Sequence, residues 1–138
     1  MKTFVLASTM ALALVSGEAM AVCSGHGRLN ATQLGSVLTN NTVCVPAVTV
    51  TNMTWQELHS SGGSLVDYKR GPGHAVDPSE TVGTWSVIGT EHSATIRHNY
   101  GTGGSYDYAV FDNGNGTHSF CSARPEIVGR VKSGGGAC

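Results

Sequence analysis

The chain has 138 residues, with eight Lys and Arg against nine Asp and Glu and a formal net charge of −1. A near-neutral chain whose only adjacent basic pair is Lys69-Arg70 has no cationic stripe for phosphates, which argues against a nucleic-acid partner and against polybasic membrane anchoring. Its length allows one domain of ordinary size behind a short leader.

Residues 1–21 read as a secretory signal peptide. Lys2 gives the positive start, residues 4–15 an apolar run, and Ala19-Met20-Ala21 a small-x-small cleavage site. The run is interrupted by Ser8 and Thr9 and falls short of the ~20 apolar residues that span a membrane. The expected working chain is therefore residues 22–138, exported to the periplasm or the extracellular space, with no membrane span. Cys23 lies just past the cut, but the β-branched Val22 stands where lipoprotein sites carry a small residue, so Cys23 reads as half of a disulfide.

Leu29 to Leu34 carry a helix start: Asn30 as cap, Gln33 completing a capping box, and Leu29 with Leu34 as hydrophobic staple. Leu34, Val37 and Leu38 then share a face, and Gly35 and Asn40-Asn41 keep the helix to two or three turns. From Thr42 onward apolar residues recur with period two between Gly-, Ser-, Asn- or Pro-rich clusters, which predicts strands over 42–51, 54–60, 64–70, 82–88, 93–100, 105–112, 116–122 and 126–132. Ser61-Gly62-Gly63, Gly101-Thr102-Gly103-Gly104 and Asn113-Gly114-Asn115-Gly116 are hairpin turns, 71–79 with Pro72 and Pro78 is a longer loop, and Asp77-Pro78-Ser79-Glu80 is a turn. The expected fold is mainly β: a small antiparallel up-and-down barrel or half-barrel with one short N-terminal helix, a closure that leaves no exposed edges.

The four cysteines, Cys23, Cys44, Cys121 and Cys138, make two disulfides in an oxidising compartment, with three possible connectivities. Because domain termini often lie close together, the favoured pairing is Cys23 with Cys138 and Cys44 with Cys121, and the runner-up is Cys23 with Cys44 and Cys121 with Cys138.

Val82-Gly83-Thr84-Trp85-Ser86-Val87 resembles the Gly-x-Trp strand of lipocalin-like and other calycin barrels, across roughly residues 82–121. In those families the Trp closes one end of the barrel beneath the ligand cavity, and the resemblance implies that packing role for Trp85. Those families carry the motif on their first strand, whereas here it comes much later. The order of the Leu34-to-Cys44 segment, the W-Q-E-L-H…G-G-S-L-V-D-Y-K-R-G-P stretch and G-T-W-S…F-C is also similar to small uncharacterised exported bacterial proteins, which implies a shared fold and no activity.

Strand parity places Ala94, Ile96, His98 and Tyr100 on one face, His118 and Phe120 on another, and Tyr106, Tyr108 and Val110 on a third. If these faces point inward, Trp85, His98, Tyr100, Tyr106, Tyr108 and His118 line a cavity that is mostly apolar with a few hydrogen-bonding tips, the usual build of a small-ligand site. No cofactor motif is present. Metal ligation is not expected: six scattered histidines lack H-x-H, H-E-x-x-H and C-x-x-C-H spacings, so a copper or zinc reading at His98 and His118 rests on ligand type alone. Asp112-Asn113-Gly114-Asn115-Gly116 lacks the alternating oxygens of a calcium loop.

No G-x-S-x-G elbow occurs, and Glu57 with Asp67, facing each other across a hairpin beside Lys69 and Arg70, read as an exposed ion-pair cluster. Sequons at Asn30, Asn40, Asn52 and Asn115 are ascribed to the abundance of Asn and Thr in turns. The leading expectation is an exported, non-catalytic binding module holding a small ligand. The alternative is a secreted or envelope protein-interaction module, an accessory protein or inhibitor, with a filled core and contacts through 71–80 and 101–104. A hydrolytic enzyme using His and carboxylates is a third, weaker class.

Overall fold

Asn30 starts the α-helix α1 (Ala31–Leu38) by capping in both directions. Its side chain accepts from the Gln33 amide at 2.9 Å, while the Gln33 side chain accepts from the Asn30 amide at 2.9 Å. Leu29 and Leu34, the staple pair, are buried in one core cluster with Leu38. The helix stops where Asn40 adopts a φ of 59°, a left-handed conformation that Asn tolerates better than most residues. The computed structural model describes residues 22–24, 26–47, 54–68, 79–123 and 125–138. The expected signal peptide, Asn52, Lys69, Arg70 and the loop 71–78 lie outside the described residues.

Eight strands follow in chain order: β1 (Thr42–Val45), β2 (Trp55–His59), β3 (Ser64–Tyr68), β4 (Ser79–Ile88), β5 (Thr95–Asn99), β6 (Ser105–Asp112), β7 (Thr117–Cys121) and β8 (Ile127–Lys132). Each pairs antiparallel with its neighbours, and β8 returns to β1 to close the barrel. The sequence-predicted up-and-down topology is thus a closed barrel, compatible with a lipocalin-like one. β1 ends at Val45 because Pro46 has no amide hydrogen to continue the ladder. One turn assignment is corrected: Ser79 and Glu80 belong to β4, paired with Tyr68 and Asp67.

Register fixes which side chains point inward. Val43 faces Glu57 and Val131, Val45 faces Trp55, and Trp85 faces His98, so the barrel interior takes Val43, Val45, Trp55, Glu57, His59, Trp85, Ile96 and His98. The interior continues through Tyr108, Val110, Phe120, Ile127 and Val131. α1 packs against β4 and β5, so Leu34 and Leu38 close the end of the barrel where β1 starts. The opposite end is where β1 leaves, β2 begins and β5 turns into β6.

Two further segments complete the barrel wall, one within the sheet and one outside it. Residues 27–29 run along β6, with the Leu29 amide donating to Val110 O at 2.8 Å and the Asp112 amide to Gly27 O at 2.9 Å. The C-terminal tail folds over β1 and β2: Thr42 Oγ1 donates to Gly134 O at 3.0 Å, and the Cys138 amide donates to Gln56 Oε1 at 2.8 Å. The bridges follow these paths and join Cys23 to Cys121 and Cys44 to Cys138, with Cα atoms 5.7 and 5.9 Å apart. This is the third connectivity, and it corrects both sequence-based pairings. The two ends of the domain lie against different strands, the first on β6 and β7 and the last on β1 and β2, so Cys23 and Cys138 each bridge to a strand cysteine.

Gly83 sits where β4 passes β5 closely. A Cβ there would run into the carbonyl oxygen of Asn99, which is backbone and cannot swing aside. Gly83→Ala is expected to cost about 1–3 kcal/mol of folding free energy, read as a lower urea midpoint at unchanged slope.

Candidate functional site

β2 brings Trp55, Glu57 and His59 to the interior by simple alternation, and β5 brings His98 from across the barrel. The two imidazoles meet through Nε2 to Nε2 at 2.9 Å, and both are fully buried. Tyr100, just past the end of β5, donates its hydroxyl to both oxygens of Glu57 at 2.8 and 2.9 Å. That hydroxyl also lies 3.4 Å from His98 Nδ1, and a Glu57 oxygen lies 3.7 Å from the same nitrogen. Four polar side chains therefore form one buried chain: His59, His98, Tyr100 and Glu57.

The hydrogen bonds assign the tautomers. His59 Nδ1 lies 3.2 Å from the carbonyl oxygen of Glu57, an acceptor only, so Nδ1 carries the proton and His59 Nε2 accepts. His98 must then donate from Nε2, which leaves its Nδ1 as an acceptor facing Tyr100 and Glu57. Burial pushes the His59 imidazole down to about 4, and burial with the neighbouring His59 pushes His98 down to about 3. Both rings are neutral at physiological pH, so the close approach of His98 to Glu57 is a contact of a neutral ring and not an ion pair. Burial likewise lifts the Glu57 carboxyl to about 7, opposed by hydrogen bonding from Tyr100 and Trp55 and reinforced by Asp67. When Glu57 is protonated it can donate to the Tyr100 oxygen, and the Tyr100 hydrogen can turn to His98 Nδ1, which satisfies every member of the chain. Burial and the Glu57 charge raise the Tyr100 hydroxyl, so it stays protonated.

Aromatic rings enclose this chain on both sides. Trp85 meets His59 edge-on at 5.2 Å and donates its indole N–H to Ser60 O at 2.8 Å. Trp55 meets His98 at 5.4 Å and Phe120 at 5.6 Å, and Tyr108 lies 5.5 Å from His98. Beyond Trp55 opens a pocket of about 240 Å³ lined by Val45, Thr54, Trp55, Tyr100, Tyr108 and Ile127. It lies at the end of the barrel opposite α1.

The sequence-predicted site residues are distributed around this pocket unevenly. Tyr100 and Tyr108 line it, and His98 stands directly behind them, buried. Trp85 is inside the barrel but on the α1 side of the histidine pair. Tyr106 packs 6.0 Å from Tyr100 and donates its hydroxyl to Gly103 O at 3.0 Å. His118 faces Gly129 and Asp112 in the ladder, and its buried Nδ1 has no partner among the described residues. The imidazole beside His98 is therefore His59, which the sequence-based site left out along with Trp55 and Glu57.

Glu57 corrects the exposed ion-pair reading. It does face Asp67 across the hairpin, but it is 4% exposed and points into the barrel. The available signal was Trp55, an aromatic at the same parity as Glu57 and His59. The turn Asn113 to Gly116 is a hairpin connection, closed by the Gly114 amide donating to Asp112 Oδ1 at 2.8 Å.

Comparison with protein-family models, with curated proteins and with solved structures returned no match. The two disulfides fit a non-reducing, exported environment, and no helix among the described residues is long and apolar enough to cross a membrane.

Proposed function

We propose that this chain is an exported, non-catalytic binding module that holds a small organic molecule in the end of its barrel opposite α1. The observation that carries this reading is the pocket walled by Trp55, Tyr100, Tyr108, Val45 and Ile127, an apolar recess with few polar groups at the mouth of a rigid barrel. Its volume of about 240 Å³ is below the ~300–1,000 Å³ of drug-sized sites, which favours a ligand of one ring and a short chain. The buried His59 and His98 support the pocket from behind. Both rings are fully enclosed and neutral, which suits a scaffold for Trp55 and Tyr108 better than proton transfer to a bound substrate.

Export is supported by the N-terminal sequence and by the two bridges, and it means that the ligand is met in the periplasm or outside the cell. Native mass spectrometry of protein purified from its own host should show a retained small molecule, and Trp55→Ala should lower its occupancy about tenfold or more by removing the largest wall. A ligand-free protein that instead crosslinks to one defined protein partner would replace this reading with that of an interaction module.

A further inference from the structure

The polar groups of the pocket are matched in an uneven way. Thr54 Oγ1 already donates to Val45 O at 3.2 Å, and the Tyr100 hydroxyl donates to Glu57. With both hydrogens engaged, these two oxygens can only accept from a ligand, and the indole N–H of the wall residue Trp55 is turned toward Glu57 and Tyr100. Directly behind Tyr100 lies a carboxyl group that is 4% exposed, and among the described residues no Lys or Arg nitrogen lies within ion-pair distance of it. The groups facing Glu57 are Tyr100 and the neutral His98 from the β5 side, Asp67 from β3, and Trp55 and His59 on its own strand. None of them carries a positive charge. A buried carboxylate is normally paired or neutralised by a proton, and among the described residues no cation supplies the pairing.

Resting on the small-ligand reading above, we infer that the pocket takes an organic amine, its ammonium group seated on the Tyr100 oxygen between the faces of Trp55, Tyr100 and Tyr108 with the Glu57 carboxylate one hydrogen bond behind. Each part of the site suits that chemistry. Aromatic faces attract a cation through their quadrupoles, most strongly where water is excluded. Tyr100 passes the charge inward, accepting from the ammonium while donating to Glu57, and such relayed hydrogen bonds strengthen one another. The apolar body of the ligand lies against Val45 and Ile127. Amine binding also favours the ionised form of Glu57, so near neutral pH it expels a proton.

The test uses three ligands of one shape: phenethylamine, phenethyl alcohol and propylbenzene. Calorimetry at pH 8 should show the amine binding about tenfold more tightly than the alcohol, the difference between a charge-assisted and a neutral hydrogen bond. Glu57→Gln and Tyr100→Phe should each bring the amine down to the level of the alcohol and leave propylbenzene unchanged. Because a change at Glu57 also touches the core, a second measurement uses the unaltered protein. At pH 7 the apparent enthalpy of amine binding should vary with buffer ionisation enthalpy, corresponding to about half a proton released, while the alcohol shows no such dependence. Equal binding of amine and alcohol, or an amine preference that survives both substitutions, overturns the amine inference and leaves the small-ligand pocket standing. Failure of all three ligands to bind overturns both.

Discussion

Removing the Cys44–Cys138 bridge by Cys44→Ala with Cys138→Ala is expected to lower the unfolding free energy by about 4–5 kcal/mol, and removing Cys23–Cys121 by the corresponding pair of substitutions should cost a similar amount. The bridges span 94 and 98 residues, and the chain-entropy model gives about 4.7 kcal/mol for a closed loop of ~100 residues. Against a total of about 5–15 kcal/mol for a domain, one bridge is a large fraction, and loss of both should leave the chain unfolded at 37 °C.

The two single-bridge variants should differ in where they loosen. Cys44–Cys138 holds the tail over Gln56, which is 1% exposed, and over Thr42; without it, hydrogen exchange should accelerate first in β1 and β2. Cys23–Cys121 holds residues 27–29 along β6 and so anchors the approach to α1; without it, the faster exchange should begin in α1 and along β6. Urea unfolding measures the size of each effect and amide exchange its location. A loss below about 1 kcal/mol would mean that the hydrogen bonds of the tail or of residues 27–29 hold these segments without covalent help.

Much of the fold is legible in the residues themselves. Period-two alternation marks all eight strands, because each has one face against the core and the pattern repeats locally, but the first, expected over 42–51, ends at Val45. Asn30 and Gln33 identify the helix start because a capping box is completed within four residues. What depends on barrel closure is less visible. The partner of Cys23 is decided by where residues 27–29 cross β6, and that of Cys138 by how the tail returns over β1. Neither path leaves a local trace.

Glu57 shows the same limit in the site. In W-Q-E-L-H, either Trp55, Glu57 and His59 or Gln56 and Leu58 could face the core, and a carboxylate opposite Asp67 resembles a solvated hairpin pair. The barrel decides for the first set, since Val43 and Val45 of β1 are the register partners of Glu57 and Trp55. The outer set is then covered as well, Gln56 by the tail, so both faces of β2 are partly buried and polarity ceases to report direction. The His59–His98 contact joins residues 39 apart in sequence, and only the closed sheet brings them together.

Acidification is expected to destabilise this barrel well before the ordinary carboxylates titrate. Unfolded, His59 and His98 bind protons below about 6.5; folded, they hold out until about 4 and about 3. Between those limits the unfolded chain carries two protons that the folded chain lacks, so stability rises with pH there. Glu57 acts in the opposite direction, since between about 4.5 and about 7 the folded chain holds a proton that the unfolded chain has lost. The balance from about 4.5 to 6.5 is one excess proton on the unfolded side, a loss on the order of 1 kcal/mol for each pH unit of acidification, steepening below 4.5. From 6.5 to 7 the protons still held by the unfolded histidines and the one held by folded Glu57 come into balance, so the slope fades out. Burial of His118 lowers its imidazole as well and adds to the acid-side loss. Urea unfolding from pH 4 to 8 should therefore show stability rising with pH and levelling off close to 7. Replacing His59 and His98 together by Gln should flatten the acid limb, while Glu57→Gln should steepen it and carry the rise further, toward about pH 7.5. These are changes of slope, so they stand apart from whatever stability each substitution removes at every pH. An acid limb of the same slope in the histidine double variant would place the destabilising protons elsewhere in the chain.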